Sequence, residues 1–200
     1  MGKDSAPEIV FRTPWFQIGV VEPGAEPSGT TEPYYCIIRG PGALAFMLDR
    51  EGRVVLVEQY RPPIGRPTLE MPAGSVEDGE TPDEAIAREA LEETGLACDR
   101  WYRIGPFRLM LNREDVIDYF YVGLGAHPVL NAKGRESGTV HLVPRTEFLD
   151  MIRSGRFEQV AALGGVYLAE KLFDIDLLTT DLAHIAAKLE TGRGTPQSAS

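Results

Sequence analysis

The sequence predicts an α/β fold: a succession of β-strands that opens on an N-terminal antiparallel strand region, is interrupted by one sharply bounded helix, and is followed by further helices. Three observations carry that prediction. Short apolar runs rich in Val, Ile, Tyr and Phe recur between Gly and Pro breaks as far as Val143. One segment, Thr81 to Thr94, announces itself as a helix at both ends. Beyond Arg145 the apolar residues recur at the three- and four-residue spacing of a helix face.

Taken in order, Phe16-Gln17-Ile18-Gly19-Val20-Val21 and Tyr34-Tyr35-Cys36-Ile37-Ile38 flank the Pro- and Gly-rich stretch Glu22 to Pro33, which predicts two strands joined by a loop. Ala43 to Leu48 and Val54 to Tyr60 flank Asp49-Arg50-Glu51-Gly52, whose residue types suit a hairpin turn. Pro62, Pro63, Gly65 and Pro67 predict an irregular connection, after which Leu69 to Ala73 leads into Gly74. Thr81-Pro82-Asp83-Glu84 supplies an N-cap, a proline at the first helical position and a glutamate that closes a capping box, and Gly95 stands where a helix-ending glycine belongs. Trp101 to Phe107, Val116 to Leu124 and Val140 to Val143 read as further strands. Arg145 to Ser154 reads as a helix, as does Val160 to about Leu189, with Gly164-Gly165 as its weak point.

Two hundred residues at 43% hydrophobic composition suit one domain with appendages. We expect N-terminal strands over 1–42, a catalytic domain over 43–190, and a disordered tail over 191–200, where core residues are lacking. A net charge of -10 argues against nucleic acid as a partner, because that footprint needs clustered Lys and Arg. Cys36 and Cys98 are far apart and lack metal-site spacing, so neither a disulfide framework nor zinc is expected. Neither a signal peptide nor a membrane span is legible, and a cytoplasmic protein without a membrane partner is the expectation.

The chemistry concentrates on the helix. Glu89, Glu92 and Glu93 stand at i, i+3 and i+4, which puts three carboxylates on one face beside an apolar arc of Ile86, Ala87, Ala90 and Leu91. Like charges at that spacing cost a few tenths of a kcal/mol per pair, and a cation reverses the sign. Oxygen ligands without nearby His or Cys favour a hard ion, Mg²⁺ or Mn²⁺. On helix composition alone, a solvated acidic face is the alternative.

The surrounding spacing decides between them. Gly74, five residues, Glu80, seven residues, then Arg88-Glu89-Ala90-Leu91-Glu92-Glu93-Thr94-Gly95-Leu96 resembles the Nudix hydrolase signature at every defined position. The resemblance implies an α/β/α sandwich with a mixed sheet and Mg²⁺-dependent hydrolysis of a phosphoanhydride. It implies Glu89 and Glu93 as main metal ligands, Glu92 completing the set, the Ala73 carbonyl as a further ligand, and Arg88 orienting a glutamate. Val55 to Gly65 with Glu70-Met71-Pro72-Ala73-Gly74 is similar to the ADP-ribose and nucleotide-sugar pyrophosphatase branch. By that likeness Arg39 and Arg61 grip the diphosphate, Trp15 and Tyr34 sandwich the base, Glu70 lies beside the substrate, and Glu136 is the candidate general base. The same likeness implies a homodimer acting on a small nucleoside diphosphate derivative. For Tyr34 and Trp15, packing in the core or at a dimer interface is the competing role. Leu111-Asn112 stands where ADP-ribose-preferring enzymes carry proline, which leaves GDP-mannose and other sugar nucleotides open as substrates. Cleavage of nucleoside triphosphates or dinucleoside polyphosphates, or non-catalytic sensing of a nucleotide metabolite, are the alternatives.

Overall fold

Alternation along two strands sets the architecture. In the computed structural model, which describes residues 7–21, 32–114, 116–130 and 138–192, the elements follow in the order β1 (Glu8–Arg12), β2 (Gln17–Val21), β3 (Tyr34–Ile38), β4 (Gly42–Asp49), β5 (Val54–Arg61), β6 (Arg66–Glu70), β7 (Ala73–Ser75), α1 (Pro82–Thr94), β8 (Leu96–Ala97), β9 (Arg100–Phe107), β10 (Asp118–Pro128), β11 (Thr139–Val143), α2 (Arg145–Arg153), α3 (Val160–Phe173) and α4 (Leu182–Thr191). On β4, Leu44, Phe46 and Leu48 enter one core while Ala43, Ala45 and Met47 enter the other. On β10, Phe120 and Val122 share the first core and Tyr121 the second. Side chains of a strand point alternately to its two faces, so both strands are buried on both sides and must lie mid-sheet. The first core is closed by Phe148 and Met151 of α2, Ala162 and Val166 of α3, and Ile185 and Leu189 of α4. The second is closed by Ala85, Ile86 and Ala90 of α1. The result is the expected α/β/α layering about a mixed sheet.

The main sheet runs β11-β5-β4-β10-β8, with β6 on β5, β7 on β4 and β9 on β10. The β4–β10 pair is parallel and the other pairs are antiparallel. The predicted hairpin is present, but β4 and β5 share only the registered pair Leu48↔Val54 beside the turn. Past that point β7 pairs with β4, at Ala43↔Gly74, and β6 pairs with β5, at Gln59↔Thr68. The fork between two diverging strands therefore receives the segment that leads into the glycine of the signature.

Three expectations need correction. The predicted irregular stretch through Pro67 ends in strand β6, which tolerates proline because it pairs on one side only, with β5. The long C-terminal helix breaks at Asp174, which takes a left-handed φ of 50°, and not at Gly164-Gly165. Gly165 instead lets α3 approach the sheet, since a Cβ there would lie 2.2 Å from the Phe120 ring. On α1 the inward residues are Ala85, Ile86 and Ala90, whereas Ala87 is exposed. A further strand, β1, precedes the two expected near the N-terminus. It pairs antiparallel with β2, and β2 with β3, forming a separate three-stranded sheet. Among the described residues, no helix is long and apolar enough to cross a membrane.

Candidate active site

Helix α1 is fixed at both ends by its own sequence. Thr81 accepts a hydrogen bond from the Glu84 amide, the Glu84 carboxylate accepts from the Thr81 amide at 2.8 Å, and Gly95 ends the helix with φ 71°. A second tether acts through Asp83. The Tyr121 hydroxyl donates to its carboxylate at 2.6 Å and Arg103 pairs with it at 2.9 Å, so the first turn is fastened to β9 and β10. Small residues on the facing strand, Ala43 and Ala45, leave room for the helix to lie close.

The three glutamates expected on one face divide into two environments. Glu89 and Glu92 both accept from Arg88 Nη1, at 2.9 and 3.0 Å. Arg88 also donates through Nε and Nη2 to both oxygens of Glu80, and to the Ser75 carbonyl. One guanidinium thus ties the loop after Gly74 to the helix with charge-assisted bonds. Those carboxylates raise the Arg88 pKa further, Glu80 first, while the Arg88 hydrogen bond, seconded by the Glu77 amide, holds Glu80 below the usual carboxylate range.

Glu93 takes no part in these bonds and is 7% exposed. Its Oε1 accepts from the Gln59 carboxamide at 2.6 Å and its Oε2 from the Ala73 amide at 3.0 Å. Burial pushes its pKa up, against the two hydrogen bonds that favour the charged form. Gln59 was not anticipated as a site residue. The signal in the sequence was a carboxamide on the same strand face as Val55 and Val57, but its partner is 34 positions away.

Gly74 is the spatial key. A Cβ built on it would lie 1.9 Å from Glu89 Cδ and 2.0 Å from Oε1, so the glycine leaves the volume that the Glu89 carboxylate fills. Among the described residues no group of three Asp, Glu, His or Cys side chains closes on a common ion position. The donor chemistry nevertheless fits a hard divalent ion. The Glu93 carboxylate bonds the Ala73 amide, the Glu89 carboxylate fills the space beside Gly74, Glu92 shares the Arg88 guanidinium with Glu89, and the side chains so gathered offer oxygen alone.

Of the candidate substrate residues, Arg61 lies near this centre, and its charge is felt at Glu93. It sits two positions after Gln59, hence on the same face of β5 and about 7 Å further along. It forms a fork-to-fork pair with Glu70, at 2.7 and 2.6 Å. Burial of Glu70 opposes its ionisation, but Arg61 and Thr68 together hold its pKa below the usual range. Arg39 is engaged elsewhere. It pairs through Nη2 with Glu114 and through both terminal nitrogens with Asp118, itself 4% exposed and bonded to the Gly42 amide. Tyr34 donates its hydroxyl to the Asn112 carbonyl, and the Arg113 guanidinium lies 5.0 Å from its ring centre. These contacts fasten the stretch after Phe107 to β3, with a further hydrogen bond from the Ile37 amide to the Arg113 carbonyl. Trp15 is 81% exposed at the turn between β1 and β2, on the separate N-terminal sheet. Glu136 lies outside the described residues.

Comparison with known proteins bears on the family and the fold. A methanol dehydrogenase activator from Bacillus methanolicus is 36% identical over 117 residues, 58% of this chain and 59% of that protein. An ADP-ribose pyrophosphatase from Bacillus subtilis (strain 168) is 39% identical over 72 residues, 36% of this chain and 39% of that protein. The matches therefore span less than two thirds of either relative. The crystal structure of an ADP compounds hydrolase superposes with a TM-score of 0.68 at 16% identity, covering 87% of this chain and 97% of that one, which establishes a shared fold. The family model of the NUDIX domain matches residues 38–163, from the last residue of β3 into α3, and the chain belongs to the Nudix family.

Proposed function

We propose that this protein is a Mg²⁺-dependent hydrolase, able to use Mn²⁺, that cleaves the phosphoanhydride of a nucleoside diphosphate joined to a sugar, such as ADP-ribose or a nucleotide sugar, to a nucleoside monophosphate and a phosphorylated sugar. One observation carries the reading: Gly74 makes room for the Glu89 carboxylate beside Glu93, whose oxygens are oriented by Gln59 and Ala73, with the Arg61 guanidinium one step along the same strand. The similarity to a protein named ADP-ribose pyrophosphatase supports the substrate class.

Glu89, Glu92, Glu93 and the Ala73 carbonyl would hold the ion. Bound there, a divalent ion supplies Lewis-acid polarisation of phosphoryl oxygen and a lowered water pKa. Arg88 keeps Glu89 and Glu92 in one orientation, which is a positioning role. Arg61 offers the diphosphate a planar fork, and its Nη1 makes no hydrogen bond to another described residue. Arg39 would reach a phosphate by exchanging the outer carboxylate, Glu114, while keeping Asp118. Glu70 lies beside the substrate, Trp15 and Tyr34 offer aromatic faces to the base, and Glu136 would accept the proton of the attacking water. The N-terminal sheet, which exposes Val10, Phe11 and Tyr35 by more than half, would pair with a second copy in a cytoplasmic homodimer.

The similarity to a protein named as an activator favours one second reading, a regulatory module that binds a nucleotide without cleaving it. A single experiment separates the two. ADP-ribose, GDP-mannose, UDP-glucose, nucleoside triphosphates and dinucleoside polyphosphates are incubated with Mg²⁺ and scored for mononucleotide. The expected outcome is release from a sugar-linked diphosphate, abolished by chelation and by Glu93→Gln. Binding without release from any of them would overturn the proposal.

A further inference from the structure

A cavity of about 320 Å³ opens at the free edge of β6, between the turn after β5 and the start of α3. Its polar lining is Arg61, Thr68, Glu70, Glu158 and Gln159. Its apolar lining is Pro63, Ile64 and Leu69, all aliphatic. The Arg61–Glu70 pair joins it to the candidate active site, because Gln59, two residues before Arg61, bonds Glu93. Neither Glu158 nor Gln159 belongs to the signature or to any residue set that the family resemblance suggested.

We propose that this cavity receives the sugar of the substrate, and that Glu158 and Gln159 select it; the inference rests on the sugar-linked diphosphate reading above. Three features identify the occupant. The volume lies at the lower end of the roughly 300 to 1,000 Å³ of ligand pockets, which suits one ring and not a second nucleoside. No aromatic residue lines it, so it lacks the stacking face that a base requires. Its polar groups are a mixture of donors and acceptors, as neighbouring hydroxyls demand.

The side chains are also held in suitable orientations. Gln159 Oε1 accepts from the Met71 amide at 2.9 Å, which fixes the carboxamide and leaves its NH₂ as the group to donate. Glu158 uses Oε2 in its ion pair with Arg66, which leaves Oε1 to accept. Glu70 accepts from both Thr68 and Arg61, so its charge is compensated before any ligand arrives. The exposed walls of the cavity are mainly aliphatic, with polar groups at a few points, and this suits the face of a sugar ring and its hydroxyls better than another phosphate.

The test uses Gln159→Glu, which keeps the acceptor for Met71 and removes the NH₂, and Ile64→Trp, which fills the cavity from an exposed turn. For the best sugar-linked substrate of the panel, kcat and KM are compared with the inhibition constant of the matching sugar-free diphosphate, ADP or GDP. Loss of a hydrogen bond or of the space for a ring predicts KM raised roughly tenfold in each variant. The ADP or GDP constant should stay within about twofold. A purely structural Gln159 would leave KM unchanged in Gln159→Glu. Unchanged KM in Gln159→Glu overturns selection by Gln159, and unchanged KM in Ile64→Trp, or equal shifts for the substrate and the sugar-free diphosphate, overturns the sugar site itself, while hydrolysis by the parent protein still stands. Absence of hydrolysis by the parent is a separate result and counts against the proposed function itself.

Discussion

Replacing Gly74 with alanine separates room from flexibility in the signature loop. Gly74 is not among the glycines with positive φ, so alanine is conformationally allowed there and its backbone need not strain. What the methyl group meets is the Glu89 carboxylate, at 1.9 Å from Cδ. Restoring an ordinary contact requires that carboxylate to retreat by about 1.5 Å, which also draws it from Arg88 Nη1. The displaced atoms are the far end of a flexible side chain, so the fold should lose only about 1 kcal/mol, or about 2–4 °C in melting temperature. Catalysis should suffer far more, because an ångström of misplacement at a reacting centre can cost about 100-fold. The assay is Mg²⁺-dependent mononucleotide release alongside a Mn²⁺ binding titration and a thermal scan. Gly79→Ala is the contrasting control: Gly79 has φ 84° and nothing within 4 Å of where the added methyl would sit, so it should lose about 1–2 kcal/mol of stability with turnover retained. Turnover of Gly74→Ala within threefold of the parent would refute the reasoning, as would a larger stability loss than that of Gly79→Ala.

Gln59→Leu removes the donor to Glu93 Oε1 and should weaken Mn²⁺ affinity and turnover by roughly 10- to 100-fold, read by titration and steady-state kinetics; an unchanged metal affinity would show that the Ala73 amide alone orients Glu93. Asp118→Ala strands the Gly42 amide and most of the Arg39 pairing, and should cost about 2–3 kcal/mol because Glu114 still offsets part of the guanidinium charge. Chemical denaturation reads that loss, and a change under about 1 kcal/mol would mean that the cluster relaxes into water. Burial, with Asp99 nearby, pushes the Cys98 thiol up to about 12. At pH 8 it is therefore a thiol and not a thiolate, and should react with iodoacetamide far more slowly in the folded protein than in denaturant. Equal rates in the two states would show that Cys98 is open to solvent as an ordinary thiol.

What was legible in the sequence was local. Thr81, Pro82, Glu84 and Gly95 bound their helix through partners within four residues, and the alternation of β4 and β10 places two cores on two faces without knowledge of the rest of the chain. Pro67 misled because a proline forbids a strand only where a second neighbour needs its amide, and whether β6 has one is decided by the whole sheet. Gly164-Gly165 misled for the same reason: a glycine pair reads as a weak point until the Phe120 ring is known to need the space. The site divides along the same line. Arg39 is legible as an arginine beside a strand end, but its partners lie 75 and 79 positions away and turn it toward Asp118 and Glu114.

The spacing of Glu89, Glu92 and Glu93 places three like charges together, and the fold then compensates them unequally. Glu89 and Glu92 share the Arg88 guanidinium at hydrogen-bond distance, so their repulsion is already offset in the protein alone. Glu93 has no ion pair within reach among the described residues; it has two neutral donors, a more distant Arg61, and little water. Hydrogen bonds from neutral groups orient a carboxylate but return only part of the hydration lost on burial. A divalent ion arriving at this face would therefore gain most at Glu93, and Glu89 and Glu92 would join it while still held by Arg88. Under the proposed function, Arg88 would keep Glu89 and Glu92 ordered while the buried Glu93 would supply the largest part of the attraction for the ion.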